Sequence, residues 1–381
     1  MRRLLLLGGL VVVLGSAAVV SSCGGNKAET HWVITDLGAG IAADINERGQ
    51  VVGGGAFIWQ HGKKTPLGTL GGPSSSAAAI NDRGKVIGGS LTGKPARGHA
   101  FLWQDGKMTD LGTLGGRRSG ARAINDRGQV VGSSTTASGR EHAFLWQNGT
   151  MRDLGTLGGP NSIAFAINEH GQVVGSSETA SGNQHAFLWQ DGTMTDLGTL
   201  GGAYAAGSGA ADINERGQIV GSSYSATLSY GQLGGGVHAF LWENGKMRDL
   251  GTLGRNPPTS AAVALNDRGE IIGNSPPTGD WGPFLWRNGE MINLGTLPGG
   301  SHSEAVAINE RGQVIGDSIP GGPHGQSHAF IWQNGTMTDL GTLGGDVSVP
   351  SAINEHDEIV GGSNTASGKG RAVLWTLKPG T

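Results

Sequence analysis

The feature that most constrains the fold is a sequence unit that recurs eight times along the 381-residue chain. The tripeptide Phe-Leu-Trp, or a close variant, occupies the same place in each unit and ends at Trp59, Trp103, Trp146, Trp189, Trp242, Trp286, Trp332 and Trp375. An asparagine that opens a four-residue turn recurs with it, at Asn46, Asn81, Asn125, Asn168, Asn214, Asn266, Asn309 and Asn354. The tryptophans are 43 to 53 residues apart. Self-similarity at this period predicts one repeat architecture in place of several unrelated domains.

The third unit indicates that each repeat is a set of four short antiparallel strands. The turn Asn125-Asp126-Arg127-Gly128 suits a type I hairpin, and Asn148-Gly149 is a strong signal for a primed two-residue hairpin. We predict strands between these turns over residues 120–124, 129–133, 142–147 and 150–154. No unit shows a helical period. Four such strands match one propeller blade, so the sequence predicts an all-β fold, a single eight-bladed β-propeller.

The two ends of the repeat region predict how the ring closes. The last unit stops after its third strand, Ala372 to Trp375, and has no fourth strand of its own. Residues 31–38 match the fourth strand of the other units, since Val33 to Gly38 aligns with Lys107 to Gly112. We therefore predict that the N-terminal strand completes the last blade, because closure removes two open sheet edges. The propeller would span residues 31–376, followed by a short tail, residues 377–381.

The first residues resemble an export signal. Arg2 and Arg3 precede an almost wholly apolar stretch from Leu4 to Val20, which is typical of a secretory signal peptide. The order Val20-Ser21-Ser22-Cys23 resembles the lipobox of bacterial lipoproteins, in which the cysteine is lipidated and becomes the first residue after cleavage. We expect a signal peptide over residues 1–23, lipidation at Cys23 and a polar tether over residues 24–30. One alternative is an ordinary signal peptide, with Cys23 incidental. Another is an uncleaved membrane anchor, which is disfavoured because the apolar stretch is short and broken by glycines.

Composition excludes one large class of partners. The formal net charge is −3, so the chain has no electrostatic footprint for nucleic acid. Its 72 glycines would suggest disorder if they were scattered, but they recur with the repeat and therefore indicate repeated turns. No motif for a cofactor, a metal ion or a catalytic nucleophile is present, so we expect neither a cofactor nor a metal site.

The units resemble a known family. Residues 98–116, with the triplet His99-Ala100-Phe101, look like the HAF repeat of bacterial extracellular repeat proteins. The resemblance covers essentially all of residues 31–376 and implies an extracellular or envelope location, without implying an activity. Three blades depart from the triplet, with Gly55, Gly282 and Arg371 in place of histidine.

Residues that recur in most units are predicted to be architectural. We expect structural roles for the repeated histidines and tryptophans, which include His99, His142, His185, His238, His328, Trp103, Trp146 and Trp189. We also expect the recurrent aspartates to cap the turn after the fourth strand, at Asp110, Asp153, Asp196, Asp249 and Asp339. Metal ligands must converge on one ion, whereas equivalent positions of different blades are spread around a ring.

Function should then lie where the units differ. Length varies only in the loops between second and third strands and in the loops that join blades, and these open on one side of a propeller. We predict that this side binds a ligand through Arg117, Arg118, Tyr204, Tyr224, Tyr230, Asp280, Trp281, His302, Glu304 and His324. The preferred function is a lipid-anchored, monomeric binding module for a protein, a glycan or another polymer. The alternatives are a polysaccharide hydrolase or lyase that uses Glu304, His302, Asp280 and His324, and a purely structural envelope protein.

Overall fold

The structure is a computed structural model that describes residues 30–201, 207–225, 236–254, 259–276, 282–321 and 325–379. Regular structure in these ranges consists of 32 strands, which form eight four-stranded antiparallel sheets. The predicted all-β, eight-bladed β-propeller is therefore confirmed. No helix in the described ranges has the length and apolar character needed to cross a membrane.

Each of blades 1 to 7 is built from four consecutive strands, and the first strands of neighbouring blades contact one another all the way round the ring. These first strands are therefore innermost and surround a central channel. For blades 1 to 8 they are β2 (Ala42–Ile45), β6 (Gly71–Ile80), β10 (Gly115–Ile124), β14 (Gly158–Ile167), β18 (Ser208–Ile213), β22 (Ala261–Leu265), β26 (His302–Ile308) and β30 (Gly344–Ile353). The second strands are β3 (Val51–Gly53), β7 (Val86–Thr92), β11 (Val130–Thr136), β15 (Val173–Thr179), β19 (Ile219–Tyr224), β23 (Ile271–Ser275), β27 (Val314–Ile319) and β31 (Glu358–Thr365).

The two outer ranks complete the blades. The third strands are β4 (Phe57–Gln60), β8 (Gly98–Gln104), β12 (Glu141–Gln147), β16 (Gln184–Gln190), β20 (Val237–Glu243), β24 (Gly282–Arg287), β28 (His328–Gln333) and β32 (Gly370–Pro379). The outermost strands of blades 1 to 7 are β5 (Lys63–Pro66), β9 (Lys107–Asp110), β13 (Thr150–Asp153), β17 (Thr193–Asp196), β21 (Lys246–Asp249), β25 (Glu290–Asn293) and β29 (Thr336–Asp339). The outermost strand of blade 8 is β1 (Thr30–Ala39).

Closure by the N-terminal strand is also confirmed. Strand β1 pairs antiparallel with β32, from Thr30 opposite Pro379 to Ala39 opposite Arg371. Trp32 and Ile34 of β1 pack against the buried cluster that contains Trp375. The blade is longer than the predicted range of 31–376, because residues 377–379 pair with the start of β1 and so belong to β32 rather than to a tail.

The core lies between blades rather than within a single sheet. Phe144 of blade 3 packs against Ala100 and Leu102 of blade 2, whereas Leu145 points the other way and packs against Phe187 of blade 4. Similar buried clusters fill all eight blade interfaces. The alternation of side chains along a strand therefore explains the repeated Ala-Phe-Leu-Trp, since one blade must offer apolar groups to both neighbours.

A closed ring of asparagine hydrogen bonds joins the blades on the side of the tight turns. The Nδ2 group of Asn125 donates to the carbonyl oxygen of Asn168 in the next blade at 3.0 Å. The same bond recurs at every blade, and Asn354 closes the ring on the carbonyl of Asn46 at 3.2 Å. All eight asparagines are buried. Each asparagine side chain also stabilises its own turn, as where Asn125 Oδ1 accepts from the Gln129 N–H. The same residue therefore specifies both the turn and the closure of the ring.

A belt of carboxylates surrounds the asparagine ring. The residue after each asparagine is acidic, and its backbone N–H donates to the acidic side chain of the next blade, as Asp82 does to Asp126 at 3.0 Å. Glu355 closes this belt on Glu47. Burial, together with neighbouring carboxylates, raises the pKa of Glu47 and of Glu310. The polar groups at the channel end of the tight-turn side are thus largely committed to holding the ring together.

The inner strand of the third unit differs from its prediction, because it starts earlier. Strand β10 begins at Gly115, not at residue 120, since Gly115 pairs with Thr136. The backbone N–H groups of Arg117 and Arg118 then donate to the Thr135 hydroxyl at 2.8 and 2.9 Å. Residues that were predicted to lie in blade-joining loops are therefore held at the beginning of an inner strand.

Each inner strand also contains a β-bulge near its middle. In β10 the pairing passes from Ala121 opposite Gly132 to Ala123 opposite Val131, so that Arg122 is left without a partner. A side chain on Gly132 would clash with the carbonyl of Gly120, which explains why glycine occupies this place in each blade. The bulge places one unpaired side chain per blade at the channel.

Candidate ligand-binding cavity

A cavity of about 730 Å³ lies between blades 4, 5 and 6 on the side of the long loops. Phe165 of the blade 4 inner strand and Tyr224 at the end of β19 are the aromatic residues of its described lining. Asn183, in the loop that precedes β16, and Gln184, the first residue of β16, also contribute. Tyr224 is 46% exposed and so presents much of its ring to the cavity and to solvent.

At the cavity, blade 5 carries small side chains where blade 4 carries large ones. Ser162 of blade 4 and Ser208 of blade 5 make equivalent bonds, which fixes the correspondence of the two inner strands. In this alignment Gly209 replaces Ile163 and Ala211 replaces Phe165. All four residues line the cavity, so the missing volume in blade 5 leaves the larger side chains of blade 4 facing open space.

The polar groups of the lining fall into two sets. Ser208 and Ser223 are occupied, since each accepts from a backbone N–H group, those of Ala186 and Leu200 respectively, at 2.9 Å. The side chains of Ser222 and Asn183 form no hydrogen bond with any other described residue. Gln184 donates to Ser176 at 3.1 Å, which leaves its side-chain oxygen available. The lining therefore offers free uncharged donors and acceptors beside aromatic rings, and its described residues include no Asp, Glu, His, Lys or Arg.

An arginine lies at the edge of this cavity. The guanidinium carbon of Arg122 is 4.9 Å from the centroid of the Phe165 ring. Both residues occupy the bulged position of their inner strands, in neighbouring blades. The other blades carry small or apolar residues at this position, namely Ala43, Ala78, Ala211, Val263, Val306 and Ser351. Sequence reasoning missed Arg122 and Phe165, although their departure from the other units is a signal that an alignment of the blades could have shown.

The predicted ligand-face residues that the structure describes lie on several blades. Tyr224 is the one described member that lines the cavity. Arg117 and Arg118 are exposed on β10 of blade 3. Tyr204, Tyr230, Asp280, Trp281, His324 and Cys23 lie outside the described residues.

The predicted acid–base pair lies on another blade. Strand β26 carries both His302 and Glu304, with 3.3 Å between His302 Nε2 and Glu304 Oε1. These two residues were expected in a loop and are instead in the inner strand of blade 7. Neither belongs to the lining of the cavity. Within the described parts of the chain, no group of three or more His, Cys, Asp or Glu side chains is placed to hold a metal ion.

The recurrent histidines pair with the recurrent aspartates inside single blades. His142 Nδ1 lies 2.8 Å from Asp153 Oδ2, and this contact recurs at 2.8 to 2.9 Å in the other four blades that have the triplet. The aspartate also accepts the N–H of the second residue beyond it, as Asp153 does from Gly155 at 2.8 Å. Burial would raise the pKa of Asp249, but hydrogen bonds from His238 and from the Gly251 N–H hold it below its ordinary value.

Blades without the histidine show what the pair does. Blade 8 replaces it with Arg371, whose Nε lies 3.3 Å from Asp36 of β1. Blade 6 lacks both partners, with Gly282 and Asn293, yet Asn293 still accepts the Gly295 N–H at 2.9 Å. The side chains therefore fasten the third strand to the fourth and cap the following turn.

Two further acidic side chains lie on inner strands and bond to the inner strand of the next blade. Asp44 and Asp212 occupy equivalent positions of β2 and β18, in blades that lie opposite each other in the ring of eight. Burial raises the pKa of Asp44 to about 7 and that of Asp212 to about 6, although two backbone N–H groups donate to each carboxylate and oppose the shift. Asp212 directly follows Ala211 of the cavity lining. The six other blades carry alanine here, so these aspartates could have been noticed from the sequence.

The fold and the cavity together define a closed β-propeller with a ligand-sized recess on its loop side. The chain matches no protein-family model and no curated protein sequence. It is similar to the propeller domain of the Trilobed protease of Pyrococcus furiosus, with a TM-score of 0.50 and 10% identity over 77% of this chain and 91% of that chain. That domain is described as having an open velcro topology, whereas β1 closes the ring here.

A second similar structure is dipeptidyl peptidase 4 of Porphyromonas gingivalis, with a TM-score of 0.57 and 11% identity. The match covers 89% of this chain and 58% of the peptidase, so the chain spans little more than half of that protein. At such identities the likeness defines the β-propeller fold and nothing finer.

Proposed function

We propose that this protein is an exported binding module that holds a glycan chain in the cavity between blades 4, 5 and 6. The observation that carries the proposal is the lining, where the Phe165 and Tyr224 rings lie beside uncharged hydroxyl and amide groups. A sugar ring has apolar C–H faces, which stack on aromatic rings, and an edge of hydroxyls, which bond to amides and serines. Cavities of this size with a few placed polar groups are typical of ligand sites.

The residues of the cavity lining also favour a binding function over a hydrolase. A polysaccharide hydrolase needs an acid and a base on either side of the scissile bond. The described lining instead supplies stacking and hydrogen-bonding groups, and the His302–Glu304 pair belongs to blade 7. The similarity to propeller domains of peptidases is a similarity of fold and does not alter this preference.

The proposal can be tested by titrating the mature protein with a panel of oligosaccharides in a calorimeter. We expect at least one to bind, and Tyr224→Ala to weaken it about tenfold, as for an aromatic anchor worth about 1–2 kcal/mol. Asn183→Ala should weaken it less. Lys369→Ala is the matched control, because Lys369 has the same place in the loop of blade 8 that Asn183 has in blade 4. Binding that is unaffected by Tyr224→Ala and Asn183→Ala would contradict the assignment.

We also propose that the module is tethered to a membrane by lipid on Cys23. The basic, apolar and Val-Ser-Ser-Cys order at the N-terminus supports this, together with the resemblance to extracellular HAF-repeat proteins. Mass spectrometry of the mature N-terminus should find an acylated cysteine, and Cys23→Ser should release the protein into the soluble fraction. Ser22→Ala, which keeps a small residue before the cysteine, should remain in the membrane fraction. An unmodified N-terminus at another residue would refute the lipid anchor and leave export intact.

A further inference from the structure

The inner strand of blade 3 carries an unusual concentration of positive charge. Arg117, Arg118 and Arg122 all lie on β10 and all are exposed. Among the described residues, the arginines that form ion pairs are Arg268, Arg311 and Arg371, and none of these is on β10. Strand β10 thus presents three guanidinium groups without a carboxylate partner in the described part of the chain. The concentration is local, because the formal net charge of the whole chain is −3.

Two acidic side chains of blades 3 and 4 bond to neutral groups of their own blades. Glu141, at the start of β12, accepts from the Ser133 hydroxyl at 2.6 Å. Glu178 of β15 accepts from the Asn161 amide at 3.1 Å. Neither carboxylate forms an ion pair with Arg117, Arg118 or Arg122 in the described part of the chain.

The arginines lie at two levels of β10, and the inner one contacts a residue of the cavity. Arg117 and Arg118 are held at the loop end of β10 by the Thr135 hydroxyl, and Arg122 lies at the bulge deeper in the channel. Arg122 stacks against the ring of Phe165, and that ring lines the cavity. A ligand in contact with Phe165 would therefore lie within reach of the Arg122 guanidinium.

We propose that the glycan taken by this cavity is acidic, with a uronic acid carboxylate bound by Arg122 and further carboxylates near Arg118 and Arg117. This inference rests on the proposed function, since it specifies the ligand of the same cavity. A guanidinium group binds a carboxylate through two parallel hydrogen bonds, and the charges strengthen both. The uncharged groups of the lining then bind the hydroxyls, and the arginines select the acidic sugar.

The experiment compares acidic and neutral forms of the same oligosaccharides. The probes are oligomers of galacturonate, of mannuronate and of glucuronate-containing chains, each with its fully methyl-esterified form. For at least one of them, the wild-type protein should bind the acid about tenfold or more tightly than the ester. Arg122→Gln should remove most of this preference, because it should weaken binding of the acid much more than binding of the ester. The preference should weaken as salt concentration rises, because screening acts on exposed charges.

Two further variants serve as controls for Arg122→Gln. Arg127→Gln makes the same substitution in the same blade but on the tight-turn side, and it should bind the acid as the wild type does. Arg122→Lys keeps the charge without the planar fork, and it should recover part of the preference. Thermal unfolding of each variant checks that a loss of binding is not a loss of fold.

The outcomes separate this inference from the proposed function. If the protein binds neutral glycans as tightly as all three acids, the inference is wrong and the glycan site stands. If Arg122→Gln weakens acid and ester equally, Arg122 does not recognise the carboxylate. Equal affinity for polyglutamate would overturn the assignment to acidic sugars. If no glycan of the panel binds at all, the proposed function itself is wrong.

Discussion

Replacing Asp44 or Asp212 by alanine should change how the stability of the ring depends on pH. Alanine already occupies this position in the six other blades, at Ala79, Ala123, Ala166, Ala264, Ala307 and Ala352. The substitution should therefore be compatible with the inner strand. It removes two hydrogen bonds, such as those that Asp44 accepts from the N–H groups of Ile45 and Ile80 at 2.9 and 2.8 Å.

Whether stability rises or falls with pH follows from the direction of the pKa shifts. Burial raises the pKa of Asp44 from 3.8 to about 7 and that of Asp212 to about 6. Between these values and 3.8 the folded protein binds more protons than the unfolded chain, so its stability falls as the pH rises. A shift of about three pKa units corresponds to about 4 kcal/mol. Both side chains are only half-buried, and contact with water should reduce the effect to about 2 kcal/mol for Asp44 and somewhat less for Asp212.

The assay is urea unfolding of the wild type and of each variant at several values between about pH 4 and pH 8. The lost hydrogen bonds shift a variant by a similar amount at each pH, and the other titrating groups cancel in the difference. Relative to the wild type, Asp44→Ala should therefore gain about 2 kcal/mol of stability from the acidic to the basic end. Asp44→Asn, which keeps the shape without the titration, should show the same trend. Parallel pH profiles for wild type and variants would refute the reasoning.

Three further perturbations test the ring and its loop side. Replacing residues 226–235 by Asn-Gly should abolish ligand binding and leave the melting temperature nearly unchanged, because Ser225 and Gly236 are already joined by a backbone bond of 3.0 Å that a two-residue turn can continue. Retained binding in calorimetry would argue against the loop side. Deleting residues 30–38 should expose β32 and cause association in size-exclusion chromatography, and a monomer of unchanged stability would contradict closure by β1. Asn125→Ala should cost about 1–3 kcal/mol in urea unfolding and spare binding, whereas a neutral effect would show that the asparagine ring is dispensable.

The sequence predicts the fold well because each level of structure repeats. Hairpin turns such as Asn148-Gly149 are local signals, and the structure gives Asn148 a φ of 51° and Gly149 a φ of 84°, as a primed turn requires. The count of strands predicts closure, because residues 31–38 supply the one fourth strand that the last unit lacks. The start of the inner strands is harder to predict, because Gly115 belongs to β10 only through pairing with Thr136 and the Thr135 hydroxyl.

The cavity is predicted poorly for a different physical reason. Sequence reasoning searched the variable loops for aromatic and charged residues, and in the described chain it found Tyr224 of the lining. The remaining lining depends on volume that is missing, as where Gly209 and Ala211 face Ile163 and Phe165 across two blades. Missing volume becomes visible only when equivalent positions are aligned by their hydrogen bonds. In the sequence, Asn183 and Ser222 look like ordinary loop and strand residues. Only the structure shows that their side chains form no hydrogen bond with another described residue.

The bulged position of the inner strand explains why binding can vary in a ring this regular. On the tight-turn side, asparagine, acid and glycine each bond to or pack against a neighbouring blade, so a change there weakens closure. The bulged residue has no partner in the ladder, and its side chain meets the channel instead. The eight units accordingly carry Ala, Val, Ser, Phe and Arg at this one place. A transfer experiment follows, in which Arg122→Ala is combined with Ala78→Arg. The arginine then no longer lies beside Phe165, so the variant should lose the preference for the acidic over the esterified oligosaccharide without loss of stability. An unchanged preference would mean that the bulged positions do not select the ligand.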